Sequence, residues 1–446
     1  MALGIDGLIS GIETSAMIKQ LMDIEARPQT LLKNKVSTTQ SFITALQNLN
    51  TKIASLTENA AKVSKPAGTD LFKASTTSDK VTATTTAGAA AGSLDISVSQ
   101  TATAQVSLSS ALAAWPSNSV LAISANGTVT SFDTTDKSLD QVISEVNKAN
   151  LGVTGVKIAT GSVDGVQQYR VQFTAAKTGS EGAFTASIDG TDMDVLKPAQ
   201  DAKLTLWAGT PAAQEITSST NTFKALMPGV DITLAADTPA NTALTINVAR
   251  DDEAISKVAS GLVASLADAF AYINRNSAVT VSTSSGNTAA SGGVFTGDAG
   301  IRDIKRQIME AATSPVDGRS PSEIGVVITK DGTVEFNAEK FAAAMAADPT
   351  KTQETLQAIA GRVEAAGKVA SDKYDGMLTQ RITGQESTVR SLNTQIEDWD
   401  RRLASRESTL KMIWGNLEVK LSQLQSQQDW LTGQLASLNT SSSGKK

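Results

Sequence analysis

Apolar residues toward the C-terminus recur in steps of three, four and seven: Ile382, Val389, Leu392, Ile396, Trp399, Leu403, Leu410, Ile413, Leu417, Leu421, Leu424, Leu431, Leu435 and Leu438. That is the heptad spacing of a coiled-coil seam. No proline interrupts it, so the spacing predicts one helix over about Ile382 to Leu438, roughly 85 Å long at about 1.5 Å per residue. Glu397, Asp398, Asp400, Arg401, Arg402, Lys411 and many Gln and Ser lie between, which is wrong for a membrane span. A helix this long needs a partner. A second heptad run, Phe42, Leu46, Leu49, Ile53, Leu56, Ala60 and Val63, lies near the other end of the chain. It could be an ordinary helix on a local core. Two such runs at opposite ends favour pairing instead, with Phe42, Leu46, Leu49, Ile53 and Leu56 against Ile382, Val389, Leu392, Ile396, Trp399 and Leu403. Two successive steps of four at Ile413, Leu417 and Leu421 would locally unwind the seam. The long helix is expected to divide there into a packed leg, Ile382 to Ile413, and a mobile end, Leu417 to Leu438.

Residues 12 to 27 predict a shorter amphipathic helix with Ile12, Met17, Leu21 and Ile24 on one side, capped by Thr14 or Ser15. Pro28 breaks or restarts it. From Leu71 the period changes to two. Leu94-Ile96-Val98, Val120 to Ile123, Tyr169-Val171-Phe173, Val230-Ile232-Leu234 and Leu244-Ile246-Val248 read as half-buried strands. Asn126-Gly127, Asp164-Gly165 and Asp189-Gly190 supply the turns. One helix interrupts, Leu139 to Val146, capped by Asp136 or Ser138. The reading is of two small antiparallel β-rich domains, one inserted in the other. Asp251-Asp252-Glu253 opens a further helix. Three carboxylates in a row suit a helix N-terminus better than a metal site. Residues 280 to 293 are expected as a low-complexity loop. Gly297 to Ala312 should be helical, and Val326 to Phe336 a hairpin turning at Asp331-Gly332. Asn337 should cap the next helix, with Pro349 in the turn after it.

Composition narrows the chemistry. Of 446 residues 40 % are hydrophobic but only 4 % aromatic, the net charge is −6 and the pI about 5.0. A nucleic-acid partner would need the opposite charge. Cysteine and histidine are both absent, which removes disulfides, thiolate metal sites and Ser-His-Asp or Cys-His catalysis. No phosphate-loop or dinucleotide fingerprint is present. Gly297-Asp298-Ala299-Gly300 is better read as a helix cap, because its carboxylate would repel phosphate. The expectation is of a protein with no cofactor, no metal and no catalytic residue. Met1 to Arg27 has no leading basic cluster and carries Asp6 and Glu13, unlike a cleaved secretory signal.

The motifs meet a known family. Ser10-Gly11-Ile12-Glu13, then Leu21 to Glu25 shortly before Pro28, resembles the N-terminus of flagellar hook-associated protein 2, the filament cap family. Thr69-Asp70-Leu71-Phe72-Lys73-Ala74 is similar to that family's junction after its first coiled-coil helix. Gly292-Gly293-Val294-Phe295-Thr296-Gly297-Asp298, Ile324-Gly325-Val326 with Asp331 to Phe336, and Leu410 to Leu438 resemble later segments. Residues 107 to 200 match little. The resemblance implies an α+β multidomain fold: a helical leg built from both chain ends around inserted antiparallel β-rich domains. The implied division is 1–36 with 417–446 as flexible terminal segments, 37–72 with 251–416 as the leg, 73–106 with 201–250 as an inner β domain and 107–200 as an outer one. It also implies a secreted, non-enzymatic structural protein at the flagellum tip, exported by the flagellar type III apparatus without a cleaved signal. The implied partners are further copies of itself, most often in a ring of five, flagellin, hook–filament junction proteins and an export chaperone. Ile12, Met17, Leu21, Ile24, Leu417, Leu421, Leu424, Leu431, Leu435 and Leu438 would then contact neighbouring copies or flagellin. Another axial flagellar protein or a secreted fibrous adhesin are the alternative readings.

Overall fold

Leu46, Leu49, Ile53, Leu56 and Ala60 leave no surface to solvent, so the N-terminal heptad run does face a core. The computed structural model describes residues 13–284, 287–330 and 332–442. Eight α-helices follow in chain order among these residues. They are α1 Thr14–Glu25, α2 Arg27–Val63, α3 Leu139–Lys148, α4 Asp252–Ser277, α5 Ala299–Thr313, α6 Ala338–Ala347, α7 Pro349–Ser371 and α8 Met377–Ser442. One compact unit takes in the chain up to Ser64 and from Ala259 onward; the other is Lys65–Val258.

In the first unit the apolar stripe of α2 is shared among several helices. It packs on α7 as well as α8. On α4, Lys52 pairs with Asp268 at 2.6 Å, and the Tyr272 hydroxyl donates to the Ala45 carbonyl at 3.3 Å. The expected two-helix pairing is thus one side of a helical bundle. The difference arises because α7, read only as helical texture, buries Leu356, Ile359, Ala360 and Val363 toward this core. Pro28 sits in the first turn of α2, where its missing amide has no partner to lose. Asp298, Asn337 and Asp348 accept from backbone amides at the starts of α5, α6 and α7. Pro349 is the first residue of α7, not part of a preceding turn. α4 is long and apolar enough to cross a membrane by composition, but Leu262, Leu266, Phe270 and Ile273 are buried in the protein. The loop expected over residues 280 to 293 is largely strand instead: Val279–Ser284 and Asn287–Gly292 pair antiparallel, and residues 285 and 286 lie outside the described residues. The β-branched Val279, Thr280, Val281 and Thr283 favour extension over the low complexity of the stretch. Val326–Ile328 pairs with Val334–Phe336 as expected; Asp331 lies outside the described residues. α1 begins at Thr14, which is buried, rather than after it.

The second unit holds two hydrophobic cores. The first lies between a five-stranded antiparallel sheet and a three-stranded one. The five-stranded order is Phe72–Thr76, Thr242–Arg250, Gly92–Gln100, Ala202–Leu206, Gln214–Ser218. Ile96, Val98, Leu204, Phe223, Ile232 and Ile246 fill it. The second core, with Trp115, Leu121, Ile123, Val142, Val146, Val171 and Phe173, lies among two four-stranded sheets and α3. Ser138 caps α3 reciprocally with Gln141. The chain enters and leaves this second core at Thr103 and Gln200, whose backbones are bridged.

Candidate functional site

Glu25, Gln29 and Phe42 set the register of the N-terminal helices along α8. Arg406 Nε lies 3.1 Å from Glu25 Oε1. The buried Gln29 amide donates to Asp400 Oδ1 and to the Ile396 carbonyl. Arg381 stacks over the Phe42 ring at 5.3 Å. Partners fall in number as α1 and α2 rise, so the two chain ends run antiparallel. Continuing that register sets Thr14 about level with Leu417, by the 1.5 Å rise common to both helices. There Ile18 and Glu418 are buried.

Past that point α8 changes character. Leu392 is buried, and Ile382, Val389, Ile396, Trp399, Leu403 and Leu410 are half-buried. Leu421 is half-buried too, but every side chain from Gln423 to Ala436 is exposed. Leu424, Trp430, Leu431 and Leu435 are 55–65 % exposed. Ile413 and Leu417 are already exposed, so packing fades over the expected division instead of stopping at Ile413. On α1 the packed face is Thr14 and Ile18; Met17, Leu21 and Ile24 point to solvent at 37–57 %. Both chain ends therefore present apolar side chains with no core to cover them among the described residues. Ile12 and the side chain of Leu438 lie outside the described residues. Between α2 and α8 an open groove of about 570 Å³ is lined by Lys33, Val36, Ser37, Gln40, Ser41, Thr44, Asn393 and Ile396. Its hydroxyl and amide lining holds no pair of groups suited to acid–base chemistry.

A second cluster steadies the packed part of α8, and spacing alone did not reveal it. Phe295 is buried and meets Phe42 and Tyr272 edge-on, with ring centroids 6.0 and 6.2 Å apart. Three residues on, Asp298 accepts from the Ile301 amide at 3.0 Å and forms a two-pronged ion pair with Arg381 of α8. Burial alone would raise the Asp298 carboxyl. The guanidinium and the Ile301 and Gly300 amides outweigh it, and the carboxyl titrates below its ordinary value. A Cβ on Gly293 would run into the Asn276 carbonyl, so only glycine lets this segment cross the end of α4. Gly325 has φ +81°, and a side chain there would strike the Asn337 carbonyl. Both glycines lie in motifs that carried the resemblance.

Comparison with known proteins accounts for these motifs. Residues 10–105 match the flagellar hook-associated protein 2 N-terminus family model, and residues 199–426 match the C-terminus model. The chain belongs to the flagellar hook-associated protein 2 family. Among family members, the B-type flagellar hook-associated protein 2 of Pseudomonas aeruginosa is 26 % identical over 473 residues, covering 98 % of this chain and 95 % of that one. Flagellar hook-associated protein 2 of Escherichia coli is 24 % identical over 466 residues, covering 96 % and 97 %. The crystal structure of the flagellar cap protein FliD D1-D2-D3 domains from Escherichia coli shares the fold. Its TM-score is 0.57 at 19 % identity, over 76 % of this chain and 99 % of that one. Helical chain ends and inserted antiparallel β domains are the family's architecture, and the flagellar cap is the family's role. Residues 106–198 fall between the two matched stretches, where the sequence carried the least resemblance.

Proposed function

We propose that this member of the flagellar hook-associated protein 2 family caps the distal end of a flagellar filament as a ring of identical copies, five being the number the family resemblance implies. In that position it promotes insertion of exported flagellin and prevents its loss. The observation that carries the reading is the uncovered apolar stripe at both chain ends: Met17, Leu21 and Ile24 on α1, and Leu417, Leu424, Leu431 and Leu435 on α8. Soluble monomers rarely keep a contiguous apolar surface of this kind unless a partner covers it. Leu417, Leu421, Leu424, Leu431, Leu435 and, by sequence, Ile12 and Leu438 are then the contact residues for neighbouring copies or flagellin. The seam Phe42, Leu46, Leu49, Ile53 and Leu56 acts as scaffold, with Arg381–Asp298 holding α8 to it. No residue has a catalytic role. Export through the flagellar type III apparatus, an export chaperone and docking on hook–filament junction proteins complete the reading. Residues 1–36 with 417–446, 37–72 with 251–416, 73–106 with 201–250 and 107–200 are its four working parts. The two separate cores of Lys65–Val258 support the last two. The test compares the full chain with one ending at Asn416 in a strain lacking the protein. The full chain should decorate filament tips and keep flagellin out of the medium; the shortened one should do neither. Normal filament growth with the shortened chain would overturn the proposal.

A further inference from the structure

We infer that the outer edge of strand Val279–Ser284 holds an extended, uncharged segment of flagellin as an added β-strand. The inference rests on the reading of the protein as a filament cap and names a place on the leg, apart from the terminal stripe, where the cap grips its client.

Strands Val279–Ser284 and Asn287–Gly292 form a two-stranded sheet that no third strand joins among the described residues. Its root is firm. The Phe295 amide donates to the Asn276 carbonyl at 2.8 Å and the Gly293 amide to the Ala278 carbonyl at 2.9 Å, beside the buried Phe295 ring. Those two bonds set the alternation of the ladder. Thr280 then bonds inward to Ser291, and the amides and carbonyls of Val279, Val281 and Thr283 point outward. Native sheets blunt such an edge with charge, proline or a bulge. Here the register runs unshifted from the Val279–Gly292 pair to the Ser284–Asn287 pair, and neither proline nor a charged residue occurs from Asn276 to Gly297. The same edge is apolar. Val279 and Val281 are 56 % and 64 % exposed, because their cross-strand partners, Gly292 and Ala290, are too small to cover them. An added strand gains main-chain hydrogen bonds along this edge and sets alternate side chains beside the two valines. Charged side chains would find no complementary charge there, so the occupant is uncharged. Two features point to flagellin. Two copies of this chain meeting through the same edge would share a two-fold axis, which the ring of five implied by the family resemblance lacks. The hairpin also falls in residues 199–426, matched by the family's C-terminus model, in the part of the chain that the family has in common and that meets a partner common to flagellar caps. Recognition through the main chain tolerates differences of sequence, as a grip on successive segments of a client requires.

Amide hydrogen exchange on the full-length protein, resolved to single residues, tests this. Adding monomeric flagellin should slow exchange of the Val279, Val281 and Thr283 amides by about 10-fold or more, since an amide bonded to a new strand exchanges only when that strand lets go. In the protein alone they should exchange fast. Val281→Pro removes an outward donor and spares the ladder, as proline on an edge strand does, so it should abolish the slowing. Ala290→Pro does the same on the opposite edge and should leave the slowing intact. In a strain lacking the protein, Val281→Pro should still decorate filament tips yet release flagellin into the medium, whereas Ala290→Pro should retain it. Exchange unchanged by flagellin would overturn the inference. So would slow exchange of these amides in the protein alone, which reports a neighbouring copy on the edge, or loss of the slowing in Ala290→Pro as in Val281→Pro. Tip decoration by the unaltered chain is read separately. Its absence overturns the cap reading; its presence without flagellin-dependent slowing overturns only the assignment of this edge.

Discussion

Asp298 carries two duties that one substitution can separate. It caps α5 and it anchors Arg381 of α8. Asp298→Ala loses both and should cost about 2 kcal/mol, about 1 from the cap and the rest from the ion pair, discounted because Arg381 is about one-third exposed. Asp298→Asn keeps a cap acceptor and loses only the charge, so it should cost about 1 kcal/mol or less. The pH dependence has a definite sign. The folded carboxyl titrates below the unfolded one, so its contribution is complete above the ordinary aspartate value of about 3.9. It is lost as pH falls through the lowered folded value. Denaturant titrations should therefore show the gap between wild type and Asp298→Asn at neutral pH and show it closing under strong acid; a gap that widens on acidification would contradict this. Phe295→Ala beside it should cost about 3–5 kcal/mol, since a fully buried ring leaves a cavity that helices cannot close. Gly293→Ala should also destabilise, through backbone collision and not through lost contact. The cap at Asp298 was legible as a loop-to-helix signal, but its pairing with Arg381 and the places of Phe295 and Gly293 were not, because each depends on which helix end the segment crosses.

Helices and strands were legible to the degree that their side chains repeat. The long helix, the run from Phe42 to Val63, the capping at Ser138 and Asn337, and the alternation at Leu94 to Val98 all follow from local period and turn chemistry. The hairpin at Val279 to Gly292 did not, because polar β-branched residues carry no hydrophobic alternation. The partners of α2 did not either: heptad spacing says that a face is buried but not by how many helices. The exposed stripe was legible as a stripe, and the structure adds where its cover ends. That difference can be measured on one element at a time. Leu49→Ala, in the shared core, should lower stability by about 2–5 kcal/mol. Leu431→Ala, on the exposed end of α8, should lie within about 0.5 kcal/mol of wild type for the isolated chain. The order should invert for tip decoration, where Leu49→Ala binds once folded and Leu431→Ala binds weakly. Equal stability losses at the two sites would mean that the distal stripe is already packed within one chain.

At the scale of the molecule, the insertion between Thr103 and Gln200 can be tested as an independent piece. The two backbones are paired there, Thr103 donating to the Gln200 carbonyl at 2.9 Å and Gln200 donating back at 3.3 Å. Bridged antiparallel residues have Cα atoms only about 4.5–5.5 Å apart, so a short glycine linker can replace everything between them. What the deletion removes is a self-contained core around Leu121, Val142, Val171 and Phe173. What it leaves is the core around Ile96, Val98, Leu204 and Ile246, none of whose buried members lies between those two residues. The ties crossing the cut are polar: Ser180 donates to Asp201, Thr178 to the Ser219 carbonyl and Gly179 to the Thr103 carbonyl. Polar ties on a wet surface contribute little net stability when both partners return to water. A chain with residues 104–199 replaced by two or three glycines should therefore keep its remaining sheet and unfold within about 5 °C of wild type, the shift expected of about 1 kcal/mol. Circular dichroism through the melt decides it, and loss of the cooperative transition would show that the two cores fold as one. The same shortened protein then separates the duties of the parts in the cap: if the terminal stripes do the binding, it should still reach filament tips.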